Sequence, residues 1–294
     1  MSTSSTSPVT PLPAGHVLAA IDASPNRAAV ATLAAWAARR LGTRLELLHL
    51  PDTDAPAPLD ASGAIGLGAQ DALLQELVEL DARRAQLAQA HGRQLLEATA
   101  ASVAGDGLEI ATCQRHGQLR DAFVAMEADV RLFVMGLRGT RGGGSGQDIG
   151  SQVERVLRAV QRPVLLAQAT AGRQPQRALI AFDGSDTACR AVERVAASPL
   201  LRGLECHLLL AGGDAAQQRA FDAVAGTLRN AGFEPGLHRA SLPADDAIVA
   251  HVDRLDADLL VMGAYGHSRL REWFLGSTTG QVLRRSPVPL LVLR

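Results

Sequence analysis

The sequence predicts two doubly wound α/β domains in tandem, each built on a parallel five-stranded sheet. Three observations carry this. The chain has 294 residues, about twice the common domain length of roughly 150 residues. Short apolar runs alternate with segments of helical spacing in both halves, the order of right-handed parallel βαβ units with helices on both faces of a sheet. Three blocks of the first half recur in the second in the same order, which marks an internal duplication.

The runs His16-Val-Leu-Ala-Ala-Ile21 and Arg177-Ala-Leu-Ile-Ala-Phe182 end in Asp22 and Asp183 and meet turn-forming residues, so both read as buried strands. Helical spacing follows over 27–41 and 187–197, then second apolar runs over 45–50 and 206–211. Further on, Leu132-Phe-Val-Met-Gly-Leu-Arg-Gly139 and Leu259-Leu-Val-Met-Gly-Ala-Tyr-Gly266 share Leu, Val, Met and both glycines in register. The segment from Gly150 to Arg158 aligns with that from Gly276 to Arg284, and Pro163 and Pro289 each lie 13 residues beyond the glycine. From Asp22 to Gly136 is 114 residues and from Asp183 to Gly263 is 80, so the first half carries 34 extra. There 51–68 is a Pro/Gly/Ala-rich loop, and leucines at helical spacing over 71–101 predict a long helix. The division expected is a loose tail over 1–15, domain one over 16–169, a linker over 170–176 and domain two over 177–294. The final strands are placed at 163–167 and 287–293.

Composition narrows the function classes. With 47% hydrophobic and 20% charged residues the chain is an ordinary globular protein, and 3% aromatics leave little for a base-stacking platform. A net charge of −1 provides no field toward nucleic acid or an anionic membrane. Cys113, Cys189 and Cys206 show no CxxC spacing, and the first fifteen residues lack a signal-peptide pattern, so a cytoplasmic protein is expected. Nothing resembles HExxH, a Gly-x-Ser-x-Gly elbow or a Walker A loop, and the chain contains no lysine, so no metal and no catalytic residue is assigned.

The chemistry lies in the late glycine motif. In domain two an apolar strand runs into Gly263-Ala-Tyr-Gly266-His267-Ser268-Arg269, and Gly276-Ser277-Thr278-Thr279 precedes renewed helical spacing. Glycine lets backbone approach a ligand, and the free N–H groups of a helix N-terminus favour phosphate. Asp183, ending the first strand, reaches the carboxyl edge where open parallel sheets bind ligands, and can accept from ribose hydroxyls.

These residues resemble the universal stress protein family, whose nucleotide-binding members carry Gly-x2-Gly-x9-Gly-[Ser/Thr] after the fourth strand. Gly263, Gly266, Gly276 and Ser277 fit without a gap, and Asp183 matches the acidic residue after the first strand. The resemblance implies the adenine nucleotide α hydrolase-like fold, and ATP or AMP, with or without magnesium, as bound ligand. It places phosphates on Gly266, His267, Ser268, Arg269, Gly276, Ser277 and Thr278, and ribose near Asp183 and Gly263. Domain one keeps Asp22, Gly136, Gly139, Gly150 and Ser151, but ten residues separate Gly139 from Gly150, which makes it a second, degenerate candidate. The family's habit of pairing along the final strand implies an intramolecular pseudo-dimer, with a homodimer of chains and a protein partner as further expectations.

Blander roles stay open beside these. The glycines also suit tight strand-to-helix turns, Ser151 and Ser277 suit helix N-caps, and both aspartates suit the starts of the helices that follow them. The function expected is a nucleotide-dependent sensor or regulator in stress adaptation. The alternatives are a slow ATPase or nucleotidyl enzyme with His267 as its titratable group, and a ligand-free interaction scaffold.

Overall fold

The computed structural model describes residues 15–51, 67–137, 151–169, 173–263 and 277–294. In the first half β1 (His16–Ala20), β2 (Leu45–His49), β3 (Ile110–Gln114), β4 (Val130–Gly136) and β5 (Val164–Ala167) pair in parallel, in the order β3-β2-β1-β4-β5. The second half repeats the pattern with β6 (Arg177–Phe182), β7 (Glu205–Ala211), β8 (Gly236–Ala240), β9 (Leu259–Gly263) and β10 (Leu290–Leu293), in the order β8-β7-β6-β9-β10. The apolar runs thus mark five strands per half, as expected.

The two sets of strands do not stay separate. β5 and β10 pair antiparallel, Leu165 opposite Leu291, and merge them into one ten-stranded sheet. Every other pairing is parallel, so the carboxyl ends of the two halves point to opposite rims. Pro163 and Pro289 lie just ahead of the final strands rather than inside them, because proline has no N–H for the ladder. Their carbonyls still accept from Phe133 at 3.0 Å and Leu260 at 2.9 Å.

Helices α1 (Arg27–Leu41), α2 (Leu67–Val103), α5 (Asp186–Ala197) and α6 (Ala215–Asn230) cover one face, and α3 (Leu119–Met126), α4 (Ser151–Ala159), α7 (Ala244–Leu255) and α8 (Ser277–Arg285) the other. Side chains of a strand alternate between faces. Val17 and Ala19 therefore join the first layer's core and Leu18 the second's. Both cores run across the β5–β10 seam. Aliphatics fill most of the space, and the stacked pair Phe123–Phe133, centroids 4.2 Å apart, provides the aromatic bulk of the second layer in the first half.

Local signals end the helices where the sequence changes character. Ten of the fifteen residues of α1 are buried, six of them alanine, and Gly42 closes the helix in the left-handed region with φ 62°, its N–H returning to Ala38 and Arg39. Asp214 and Gln217 form a capping box at the start of α6, each side chain taking up the other's backbone end. α2 begins at Leu67, earlier than the expected 71, so Leu67 and Gly68 are helical rather than loop. Residues 52–66 of that loop, most of the tail and linker residues 170–172 lie outside the described residues.

Candidate functional site

Where the strand order reverses, neighbouring strands send their connections to opposite sides and a crevice opens at their carboxyl ends. The sheet has two such points, between β1 and β4 and between β6 and β9.

At the second, Asp183 follows β6 and turns back on the chain. Its Oδ1 accepts the Ser185 N–H at 2.9 Å, and Ser185 Oγ accepts the Ala188 N–H at 3.1 Å, capping α5. Gly184 makes this turn at φ 77°. Gln217, in the first turn of α6, donates from Nε2 to the Asp183 carbonyl at 2.7 Å and lays its stem over Gly184, where an added Cβ would meet Cγ at 2.5 Å. Gly263 ends β9 beside the same turn; a Cβ there would stand 3.4 Å from the Ala188 N and Cα. Asp183 and Gly263 therefore end adjacent parallel strands and face the first turn of α5. Ser277 and Thr278 open α8. Gly266, His267, Ser268, Arg269 and Gly276 lie outside the described residues. For Cys189, one turn into α5, burial first, then Asp186, Glu193 and Asp183, push the thiol above its usual range and so disfavour the thiolate.

At the first crevice Asp22 Oδ1 accepts from the Ser24 N–H at 3.1 Å and from the Ser24 hydroxyl at 2.5 Å, and Ser24 Oγ accepts the Asn26 N–H at 3.3 Å. Ala23 stands where the second half has Gly184, with no left-handed backbone. The brace comes from β2, where His49 Nδ1 donates to the Ile21 carbonyl at 2.8 Å. Gly92 of α2 seats that ring, since a Cβ there would meet His49 Cδ2 at 2.5 Å. Gly136 ends β4 and Ser151 opens α4, while Gly139 and Gly150 lie outside the described residues.

A model of the universal stress protein family matches residues 14–168 and 210–294. The chain belongs to this family. A universal stress protein of Synechocystis sp. (strain ATCC 27184 / PCC 6803 / Kazusa) is 32% identical over 272 residues, which cover 89% of this chain and 93% of the relative. Among solved structures, a universal stress protein from Archaeoglobus fulgidus DSM 4304 is 22% identical with a TM-score of 0.68, covering 95% of this chain and 98% of the other. A functionally unknown protein of Pseudomonas aeruginosa PAO1 is 18% identical with a TM-score of 0.55, covering 95% and 92%. These two likenesses are of fold.

Neither brace of this universal stress protein stands out in the sequence as a site residue. Gln217 carries a legible signal, the Asp-x-x-Gln box, but only the fold shows what its amide reaches. His49 carries none. Among the described residues no group of three or more His, Cys, Asp and Glu is placed to hold a metal, and no helix is long and apolar enough to cross a membrane.

Proposed function

We propose that this universal stress protein binds an adenine nucleotide, ATP or AMP, in the crevice between β6 and β9 and serves as a nucleotide-dependent sensor or regulator in stress adaptation. The observation that carries the proposal is the convergence of Asp183 and Gly263 at the switch point. Asp183 spends Oδ1 on the Ser185 N–H and leaves its other oxygen without a partner among the described residues. That oxygen is the acceptor for a ribose hydroxyl. Gly263, with no side chain, lets the sugar approach the end of β9. The free N–H groups that open α8, together with Ser277 and Thr278, supply phosphate donors. The Gly-x2-Gly-x9-Gly-Ser run links these parts with the family's gap-free spacing, and Gly266, His267, Ser268, Arg269 and Gly276 are assigned to the phosphates on that ground.

The crevice between β1 and β4 is the weaker partner. Its loop is one residue longer and richer in glycine, so more conformational entropy is lost in ordering it around phosphate. Calorimetric titration of nucleotide-free protein with ATP and with AMP is the test, with one tight site per chain expected. Ligand at 100 times its dissociation constant should add about 2.7 kcal/mol of stability. No heat and no stabilisation at millimolar nucleotide would overturn the proposal.

A further inference from the structure

One helix has outgrown its counterpart. α6 leads from β7 toward β8 in 16 residues, whereas α2, which leads from β2 toward β3, runs for 37. Counted back from the C-terminal end, 88–103 of α2 equals α6 in length. Every buried residue described in the helix, namely Gly92, Leu95, Leu96 and Thr99, falls in that part. The stretch 67–87 is an extension with no equivalent in the second half, about 30 Å long at the α-helical rise of about 1.5 Å per residue.

This extension presents leucine to water. Leu80 and Leu87, seven residues apart on one side of the helix, each stand more than half in solvent, and Leu77, on the adjoining strip, is half-buried. The sequence repeats the step of seven back to Leu73. Such a step marks the narrow seam between paired helices rather than the broader stripe that packs on a sheet.

Charge along the same helix is sorted by sign. From 67 to 82 the charged residues are Asp71, Glu76, Glu79 and Asp81, all acidic, and from 83 to 96 they are Arg83, Arg84 and Arg93, all basic. The helix dipole favours acids in the first turn and fades beyond it, so it does not account for a reversal about four turns in. Glu79 and Arg83 meet along the helix at 3.9 Å, while Glu76, Asp81 and Arg84 have no partner among the described residues. A helix patterned in this way is complementary to itself run backwards. Two copies laid antiparallel about an axis at residue 82 set Leu77 of each opposite Leu87 of the other, and bring the acids of each beside the other's Arg83 and Arg84. A parallel pair would set like charge on like, which disfavours that arrangement.

We propose that the α2 extension docks a second copy of this chain, through an antiparallel pair of α2 helices related by a two-fold axis near Ala82. The contact uses the same patch on both chains and therefore closes at a dimer. It sits with the β2–β3 end of the first half, at the far end of that half's strand order from the β5–β10 seam.

Sedimentation equilibrium of the full chain, over a wide range of concentration, is the test. Wild type should reach twice the mass of one chain. Leu80→Gln with Leu87→Gln should leave a monomer, and so should Arg83→Glu with Arg84→Glu, since the new acids meet the other copy's Glu79 and Asp81. Adding Glu79→Arg and Asp81→Arg to that second chain reverses the pattern throughout and should restore the dimer. These positions are all exposed, and circular dichroism checks that each variant keeps its helix; the charge variants carry the test alone if the leucine pair does not fold. A wild type that stays monomeric overturns the proposal, as does a dimer that survives the leucine substitutions. A dimer indifferent to Arg83→Glu with Arg84→Glu, or a charge-reversed chain that stays monomeric, overturns the antiparallel pairing.

Discussion

The two switch-point crevices share strands, order and an aspartate, yet they are roofed differently. In the second, Asp-Gly-Ser turns through a left-handed glycine and is held from above by Gln217. In the first, Asp-Ala-Ser turns without one and is held from the side by His49. The cause is the 34-residue difference in spacing. α6 starts on top of its turn, so its first residues brace it, whereas α2 runs for 37 residues and it is Gly92, deep in the helix, that backs His49. Duplication kept the sheet, which topology and burial constrain, and released what lies over its carboxyl edge.

The largest effect that tests this contrast is at the turns. Gly184→Ala should cost about 2–3 kcal/mol, since alanine is strained at that φ and its Cβ displaces Gln217 from the Asp183 carbonyl. The mirror change, Ala23→Gly, should cost less than about 1 kcal/mol, because it only loosens the unfolded chain. Urea unfolding of both variants measures the difference, and equal losses would mean that the two turns are equivalent after all.

Next comes the aspartate. Asp183→Asn keeps an acceptor for the Ser185 N–H, so stability should hold within about 0.5 kcal/mol. Nucleotide affinity should fall about tenfold, the low end of what a hydrogen bond to a charged group contributes. Asp22→Asn should leave the tight site untouched. If Asp22→Asn weakens it and Asp183→Asn does not, the assignment of strong and weak crevices is reversed. Gln217→Ala is smaller again: one half-buried hydrogen bond and half of a capping box, about 1 kcal/mol by denaturant midpoint, with His49→Ala as its counterpart in the first half.

How much of this the sequence discloses depends on range. Strands and helices appear because burial imposes periodicity over five to fifteen neighbours, and the duplication shows because Leu, Val, Met and Gly recur in register at β4 and β9. Asp183 and Gly263 are legible through their motifs, and the fold adds that they end neighbouring strands. Gln217, His49 and the β-bulge that Arg131 makes opposite His16 and Val17 act through contacts with chain segments 28 to more than 100 residues away, and no local pattern encodes such pairings. Periodicity also misleads in α2. Leu80 and Leu87 sit at core-like spacing, yet they are 53% and 71% exposed, and among the described side chains of α2 the buried ones, Leu95 and Leu96 among them, lie in its last turns. Helical spacing shows that a helix has an apolar stripe, not that the fold covers it.

The smallest effect separates the halves by pH. On the second half's edge His238 Nε2 lies 3.1 Å from His207 Nδ1, its Nδ1 accepts from Arg254 at 3.2 Å, the His251 ring stacks edge-on, and Glu205 stands 3.2 Å from His207 Nε2. With Arg254 donating to Nδ1, His238 keeps its single proton on Nε2, and a second proton would have to face the guanidinium. Burial first, then His207, Arg254 and His251, hold its pKa below the ordinary 6.5. The unfolded chain therefore takes up this proton at a higher pH than the folded one. The stability concerned is complete above about pH 6.5 and is lost as the pH falls through the folded value. His16 in the first half is also lowered by burial, but Glu46 at 2.9 Å pulls it back. His238→Gln should thus flatten the decline in unfolding free energy between pH 7 and 5 more than His16→Gln does. Urea unfolding at three pH values decides it: a steeper dependence on His16 would place the acid-sensitive part of the fold in the first half.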